Sequence, residues 1–238
     1  MASLERLVDG AQRLGLALTD SQLRQFEKYQ DLILDWNQRM NLTAVHDSEM
    51  LQERHFLDSL TCILATGDLD AQSVVDVGSG AGLPGIPLKI CFPGLNLTLL
   101  DSVKKKTRFL QVVVEDLELA GVSIHTRRAE EVGHLPEFRE AFDWAVARAV
   151  APLRTLLEYL LPLTRLSGHA VAQKGFNAPT EVLEAEVAVS SLGGAHVELI
   201  PVQNPGQDQP AYLVKVTKVK PTPDQYPRRS GVPAKRPL

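Results

Sequence analysis

The residues best placed to do chemistry form a glycine cluster. Asp76-Val77-Gly78-Ser79-Gly80-Ala81-Gly82 ends a short β-branched run and precedes a helix-like stretch at 86–91. Glycines there permit a tight turn and let a ligand approach the backbone. The helix behind them presents free N–H groups. Two cofactor classes use this device. A dinucleotide sets its pyrophosphate on the helix N-terminus. S-adenosylmethionine has no phosphate, so its amino-acid portion and ribose lie along the turn instead. Gly80-Ala81-Gly82-Leu83-Pro84-Gly85 satisfies G-x-G-x-x-G, and Asp101 lies 19 residues past Gly82, near where a ribose-binding acid belongs. Asp76 weighs the other way. A carboxylate two residues before Gly78 is poorly suited to a pyrophosphate, but it can accept N–H groups of the loop or serve a cationic ligand. The balance favours S-adenosylmethionine bound by Gly78, Gly80 and Asp101. A dinucleotide enzyme and a turn that binds nothing remain as the other readings. Asp101 has a competing role of its own, as N-cap of the helix that follows it.

Other reactive side chains point less sharply. Cys62 and Cys91 show neither metal-ligand spacing nor a disulfide framework, and both sit among apolar neighbours. Buried free thiols in a reducing compartment are expected, and no metal site. His55 and Asp58, three residues apart on a helix, read first as a core histidine with a local partner. No Asn/Asp-Pro-Pro-aromatic motif, the grip for an exocyclic amine, follows the fourth strand; Asn204-Pro205-Gly206 reads as a turn. No cysteine follows a proline, as a nucleobase-attacking thiol commonly does.

The elements that must position these groups follow from periodicity. Thr19, Asp20 and Ser21 supply N-cap chemistry for a helix whose apolar stripe is Leu23, Phe26, Ile33, Trp36 and Met40. Asp47 or Ser48 opens a second segment bearing Met50, Leu51, Phe56, Leu57 and Leu60. From Ser73 the period changes. Short apolar runs at 73–77, 95–100, 122–126, 142–147 and 170–173 alternate with helix-like stretches at 86–91, 105–119, 153–163 and 179–192. That alternation predicts βαβ units in a doubly wound parallel sheet. Residues 196–202 and 212–219, joined by a turn at 203–210, read as an antiparallel hairpin appended to it. That hairpin is typical of methyltransferases and not of dinucleotide folds. The final stretch holds five prolines and reads as an extended arm. The expected organisation is a helical cap at 1–72, a cofactor-binding domain at 73–220 and a basic arm at 221–238.

The chain has 238 residues, 44% hydrophobic and 23% charged, an ordinary globular composition. The first ten residues lack the apolar core of a signal peptide, and no apolar run is long enough to span a bilayer. A cytoplasmic protein with no membrane partner is expected. Net charge is −4, yet residues 215–238 carry Lys215, Lys218, Lys220, Arg228, Arg229, Lys235 and Arg236 against Asp224 alone. Such asymmetry suggests a polyanion-binding tail on an acidic body, or a solvated tail that aids solubility.

In order along the chain, Trp36-Asn37-Gln38-Arg39-Met40-Asn41-Leu42-Thr43, His55-Phe56-Leu57-Asp58-Ser59-Leu60 and the run from Asp76 to Pro87 form a recognisable series. Arg128-Ala129-Glu130-Glu131, Arg148-Ala149, Lys174-Gly175 and Tyr226-Pro227-Arg228-Arg229 continue it. Together they make the chain resemble, over nearly its whole length, the RsmG family of bacterial 16S ribosomal RNA methyltransferases, formerly called glucose-inhibited division protein B. Two small departures are Ser230, where the family usually has proline, and Phe176-Asn177 after the Lys-Gly pair. The resemblance implies an α/β, Rossmann-like class I methyltransferase with a mostly parallel seven-stranded sheet and a terminal antiparallel hairpin. It implies S-adenosylmethionine as cofactor and 16S rRNA, or a small-subunit precursor, as partner of a monomer. The reaction implied is methylation of N7 of a guanine in the 530 loop, numbered 527 by family convention. Gly78, Leu83, Ala129, Glu130 and Arg148 align with cofactor contacts. Ala129 and Glu130 would follow the third strand and read the adenine amino group. Arg148 would end the fourth strand at the site mouth, pairing with the cofactor carboxylate or with RNA phosphate; it is the one residue given a catalytic role. N7 carries an exposed lone pair, so alignment and charge complementarity suffice and no general base is named. Lys104, Lys105, Lys106, Arg108, Arg127 and Arg128 would line one rim with the tail and hold phosphate.

Overall fold

The computed structural model describes residues 4–203 and 209–238. Seven strands make one sheet: β1 Ser73–Val77, β2 Asn96–Asp101, β3 Val122–Thr126, β4 Phe142–Arg148, β5 Thr164–Lys174, β6 Gly194–Val202 and β7 Ala211–Lys218. Their spatial order is β3-β2-β1-β4-β5-β7-β6. The first five pair parallel, with Val75 between Thr98 and Ala145. β7 inserts antiparallel between β5 and β6. The expected fold class is the observed one. The chain winds outward from β1 to β3, then returns to β4 on the other side of β1. That reversal opens a crevice at the carboxyl ends of β1 and β4.

Strands covered on both faces have near-continuous apolar sequences, and these do. Val74, Leu97, Leu99, Trp144 and Val146 join one core with the helices Gly85–Cys91, Lys104–Asp116 and Asp20–Asn37. Val75, Leu100, Ala145, Ala147, Ala170 and Ala172 join the other, with Leu153–Leu160 and the two helices after β5. The N-terminal helices therefore share one apolar core with a face of the sheet. The Asp20–Asn37 helix opens on a capping box, in which the Thr19 side chain accepts the Gln22 N–H and the Gln22 side chain accepts the Thr19 N–H. It stops because Asn37, buried at its end, turns its carboxamide to the next loop. Asn37 Oδ1 accepts the N–H groups of Leu42 (2.9 Å) and Thr43 (3.0 Å). Met40, expected on the helical stripe, lies beyond the helix.

Several other expectations change. The segment opened by Asp47 runs as Ser48–Leu51, a π-helical turn at Gln52–Leu57 and a last turn at Asp58–Leu60. The stretch at 179–192 splits into Ala178–Glu184 and Glu186–Ser191. β5 begins six residues earlier than its apolar run, because Thr164 pairs with Phe142 of β4 ahead of a bulge that takes in residues 165–168. The arm is not simply extended. It includes a helical turn at Val232–Lys235 and is tied to the body by buried partners described below. Most of the turn expected at 203–210 lies outside the described residues. Among the described residues, no helix is long and apolar enough to cross a membrane.

Candidate functional site

The glycine turn is built by backbone geometry first. Gly78, Gly80 and Gly82 have φ of +74°, +59° and +92°, a region side chains disfavour. The turn is stitched to the end of β2: the N–H groups of Gly78 and Ser79 donate to Leu100 O at 2.7 and 3.1 Å. The Gly80 N–H donates to Asp101 Oδ2 at 2.9 Å, and the Val103 N–H to Asp101 Oδ1 at 2.8 Å. Asp101 thus caps the segment after β2 and holds the turn with the same carboxylate. Gly82 serves packing: a Cβ there would sit 2.5 Å from Ile86 Cγ1 and 2.9 Å from the Tyr29 hydroxyl oxygen.

Asp76 lies beneath the turn, fully buried. Its Oδ2 accepts the Gly85 N–H at 2.9 Å, and Oδ1 has no partner among the described residues. Burial pushes its pKa up to about 7, against the Gly85 hydrogen bond and the Arg148 charge. The first N–H of the helix Gly85–Cys91 is therefore already spent on a carboxylate. The anion site that a dinucleotide pyrophosphate would use is filled by the chain itself.

A cavity of about 420 Å³ opens at the carboxyl ends of β1 to β4. Its wall includes Gly78, Asp101, Ala129, Glu130, Val150 and Tyr159. Lys106, Arg127 and Arg128 also border it, with Lys106 Nζ 4.0 Å from Asp101 Oδ2. Of the residues expected to bind cofactor, Gly78, Asp101, Ala129 and Glu130 meet here. Gly80 does not line the cavity; its N–H is turned to Asp101. Leu83 is buried in the apolar core.

Arg148 stands elsewhere. Its guanidinium faces a neighbouring cavity of about 260 Å³ lined by Asp58, Ala149, Gln173, Lys174, Gly175 and Ala211. The two cavities share Ala149, held at φ +55° directly after β4. Arg148 Nη1 donates to Asp58 Oδ2 at 2.7 Å and to the Arg54 carbonyl at 3.3 Å. His55 supports the same junction: its Nδ1–H donates to the Arg54 carbonyl at 2.8 Å, and Nε2 accepts from the Thr43 hydroxyl. Burial, then the Arg148 charge, lower the His55 pKa to about 4, so the ring is neutral. His55 and Asp58 are more than a local pair; they join the π-helical turn to the end of β4. Lys174 donates to Glu181 at 2.7 Å and to the Ala151 carbonyl at 2.6 Å, fixing the loop between the cavities.

The basic tail divides in two. Lys215 pairs with Glu198 at 3.0 Å, Lys218 is buried on Glu140 at 3.1 Å, and Arg228 is bound to Glu158 at 2.6 Å. Lys220, Arg229, Lys235 and Arg236 are exposed. Residues the sequence did not single out also line the cavity beside Gly78: Tyr159, Ala151 and, from the arm, Ala234. One signal was available. Glu158 stands inside the apolar helix Leu153–Leu160, where a lone carboxylate demands a partner.

The sequence model of the family described as rRNA small subunit methyltransferase G matches residues 22–209. The ribosomal RNA small subunit methyltransferase G of Alkaliphilus oremlandii is 44% identical over 232 residues, covering 98% of this chain and 97% of that protein. The protein of the same name from Roseiflexus castenholzii is 46% identical over 235 residues, covering 99% and 100%. A solved structure of a SAM-dependent methyltransferase from Aquifex aeolicus shares the fold with a TM-score of 0.56 at 17% identity, covering 78% of this chain and 98% of that one.

Proposed function

The chain belongs to the family described as rRNA small subunit methyltransferase G, and from that premise we propose that it methylates N7 of guanine 527 in the 530 loop of 16S rRNA. Its cofactor is S-adenosylmethionine. The observation that carries the cofactor is the Asp76–Gly85 hydrogen bond, which fills the helix N-terminus with a carboxylate. A pyrophosphate is disfavoured there, and a cationic ligand beside Asp101 and Glu130 is favoured. Gly78, Asp101, Ala129 and Glu130 hold the cofactor, with Tyr159 beside them. Gly80 and Leu83 act from beneath, by shaping the turn.

Bound in this cavity, the cofactor would supply a sulfonium-activated methyl group, its S–CH3 bond breaking to leave S-adenosylhomocysteine as the N7 lone pair bonds to the methyl, with no proton removed first. The protein's task is then positioning. The neighbouring cavity takes the target guanine. Arg148 is the catalytic side chain on that side, a fixed cation that meets the nucleotide and not the cofactor. Asp58 and the carbonyl of Arg54 hold its guanidinium in place. Ala149, small and in the left-handed region, leaves the passage between cavities open. Lys104, Lys105, Arg108, Arg127 and Arg128, with the exposed cations of the arm, receive phosphate. The segment 1–72 contributes Asp58 to the guanine side, 73–220 supplies the rest of that side and the cofactor side, and 221–238 the rim. The protein works as a monomer in the cytoplasm on 16S rRNA or a precursor of the small subunit.

The test is methyl transfer to 16S rRNA from a strain lacking the activity, with the modified nucleotide mapped by mass spectrometry. Label at N7 of guanine 527 is expected; label elsewhere would overturn the substrate assignment. Thermal shift with S-adenosylmethionine against NAD tests the cofactor separately.

A further inference from the structure

The arm borders the cofactor cavity at Ala234 and is held from several sides. Arg139 donates to the carbonyls of Thr222 at 2.7 Å and Tyr226 at 2.9 Å. His134 Nε2 lies 2.6 Å from the Pro227 carbonyl, to which it donates. Then comes the strongest anchor. Glu158 is fully buried, and its carboxylate accepts three groups of one residue: the Arg228 N–H at 2.7 Å, Nε at 2.8 Å and Nη2 at 2.6 Å. That bidentate fork fixes both the side chain and the backbone of Arg228. Three residues on, the Gly231 N–H donates to Glu130 Oε1 at 3.0 Å. Gly231 has φ +81°, which turns the chain into Val232–Lys235. The Thr155 hydroxyl, on the same helix as Glu158, donates to the Pro233 carbonyl at 3.2 Å, and Ala234 arrives in the cavity wall.

We propose that Glu158 is a positioning residue for the cofactor: through Arg228 it sets the arm, which closes the cavity with Ala234 and aims the Glu130 carboxylate through the Gly231 N–H. The arm is then a wall of the cofactor site as well as a carrier of exposed charge. A buried carboxylate with no route to solvent has no reason to stand on the Leu153–Leu160 helix unless its partner must be held. The geometry names what is held: both Thr155 and Glu158 grip the arm, and Tyr159, next to Glu158 on the same helix, faces the same cavity. This inference rests on the reading of that cavity as the S-adenosylmethionine site.

The experiment uses the full chain and isothermal calorimetry with S-adenosylmethionine and S-adenosylhomocysteine. Glu158→Gln removes the charge that holds Arg228; its dissociation constants are expected to rise tenfold or more. In turnover the KM for S-adenosylmethionine rises with them, and the larger part of the loss falls in KM. A merely structural lesion would instead lower kcat with the folded fraction and leave KM in place. Cooperative urea unfolding checks the folded fraction. Should Glu158→Gln fail to fold, Ala234→Phe decides: the residue is exposed, so the change disturbs no core, yet it thrusts a ring into the proposed wall. It is expected to weaken both ligands at least tenfold. Wild-type dissociation constants in Ala234→Phe would overturn the wall, and wild-type constants in folded Glu158→Gln would overturn the positioning role. A wild-type protein that binds neither ligand would overturn the functional reading itself, and this inference with it.

Discussion

The floor of the cavity beside the glycine turn and its walls are built by different means. The floor is the glycine turn and the ends of β1 and β2. Its bonds join neighbouring strands: Gly78 and Ser79 to Leu100, Gly80 to Asp101, Gly85 to Asp76. Once the strands pair, backbone conformation does the rest. The walls of this cavity and of its neighbour depend on groups that meet across 70 residues or more: Glu158 with Arg228 and Glu130 with the Gly231 N–H for the first, Asp58 with Arg148 for the second. Each wall contact holds a carboxylate largely out of water, where a missing partner costs more than the pair contributes. The floor should therefore fail by strain and the walls by an uncompensated charge.

The largest expected effect falls on the wall of the neighbouring cavity. Arg148→Ala should lower kcat on the order of 100-fold, the scale of an ångström-level misplacement, while calorimetry still detects S-adenosylmethionine binding. If cofactor binding disappeared as well, the two cavities would not be separable and the contrast would break. On the floor, Gly82→Ala places a Cβ 2.5 Å from Ile86 Cγ1 at φ +92°. About 2 kcal/mol of stability should be lost to backbone strain alone, and more to the clash, as read by urea unfolding. A wild-type midpoint would mean the turn relaxes freely.

Floor and wall should also differ in pH response. His55 titrates near 4 when folded against a usual 6.5, so its contribution is complete above 6.5 and is lost as pH falls toward 4. Asp76 titrates near 7 against a usual 3.8, so its contribution is complete below 3.8 and is lost as pH rises through 7. Each pKa unit corresponds to at most about 1.4 kcal/mol, less for His55, which is not fully buried. Relative to wild type, Asp76→Asn should gain stability as pH rises from about 5 to 8. His55→Asn should gain as pH falls from about 6 to 4. Parallel curves for variant and wild type would remove the burial argument for that residue.

The smallest effect tests the arm's outer face. Alanine at Arg229, Lys235 and Arg236 should flatten the dependence of RNA affinity on salt, by about 0.7 in the log–log slope per lost contact to a single strand. An unchanged slope would leave the arm with its inner role only.

The strands were legible where both faces are buried, because Val74, Val75 and Val77 admit few other readings. They were illegible at the start of β5, where Thr164 alone pairs with β4 before the bulge at 165–168. The glycine turn was legible as a device, yet its members have unequal roles: Gly78 faces the cavity, while Gly80 and Gly82 serve the turn and the core. Asn37 in the Trp36–Thr43 motif proved to be the organiser of a loop whose Thr43 meets His55. The arm was the least legible segment. Prolines and positive charge argued for an extended tail. Its course is decided by Glu158, Arg139 and Glu130, none near it in sequence.

Sequence alone determined the sheet, the turn, the acidic residues at the strand ends and the family. These depend on local spacing and on apolar period, which a chain carries wherever it folds. Only the tertiary structure decided which charges remain free. Arg148 and Arg228 read alike as cations available for phosphate until Asp58 and Glu158 arrive from distant helices. A charge in sequence has no partner; burial assigns one, because the interior does not tolerate it alone.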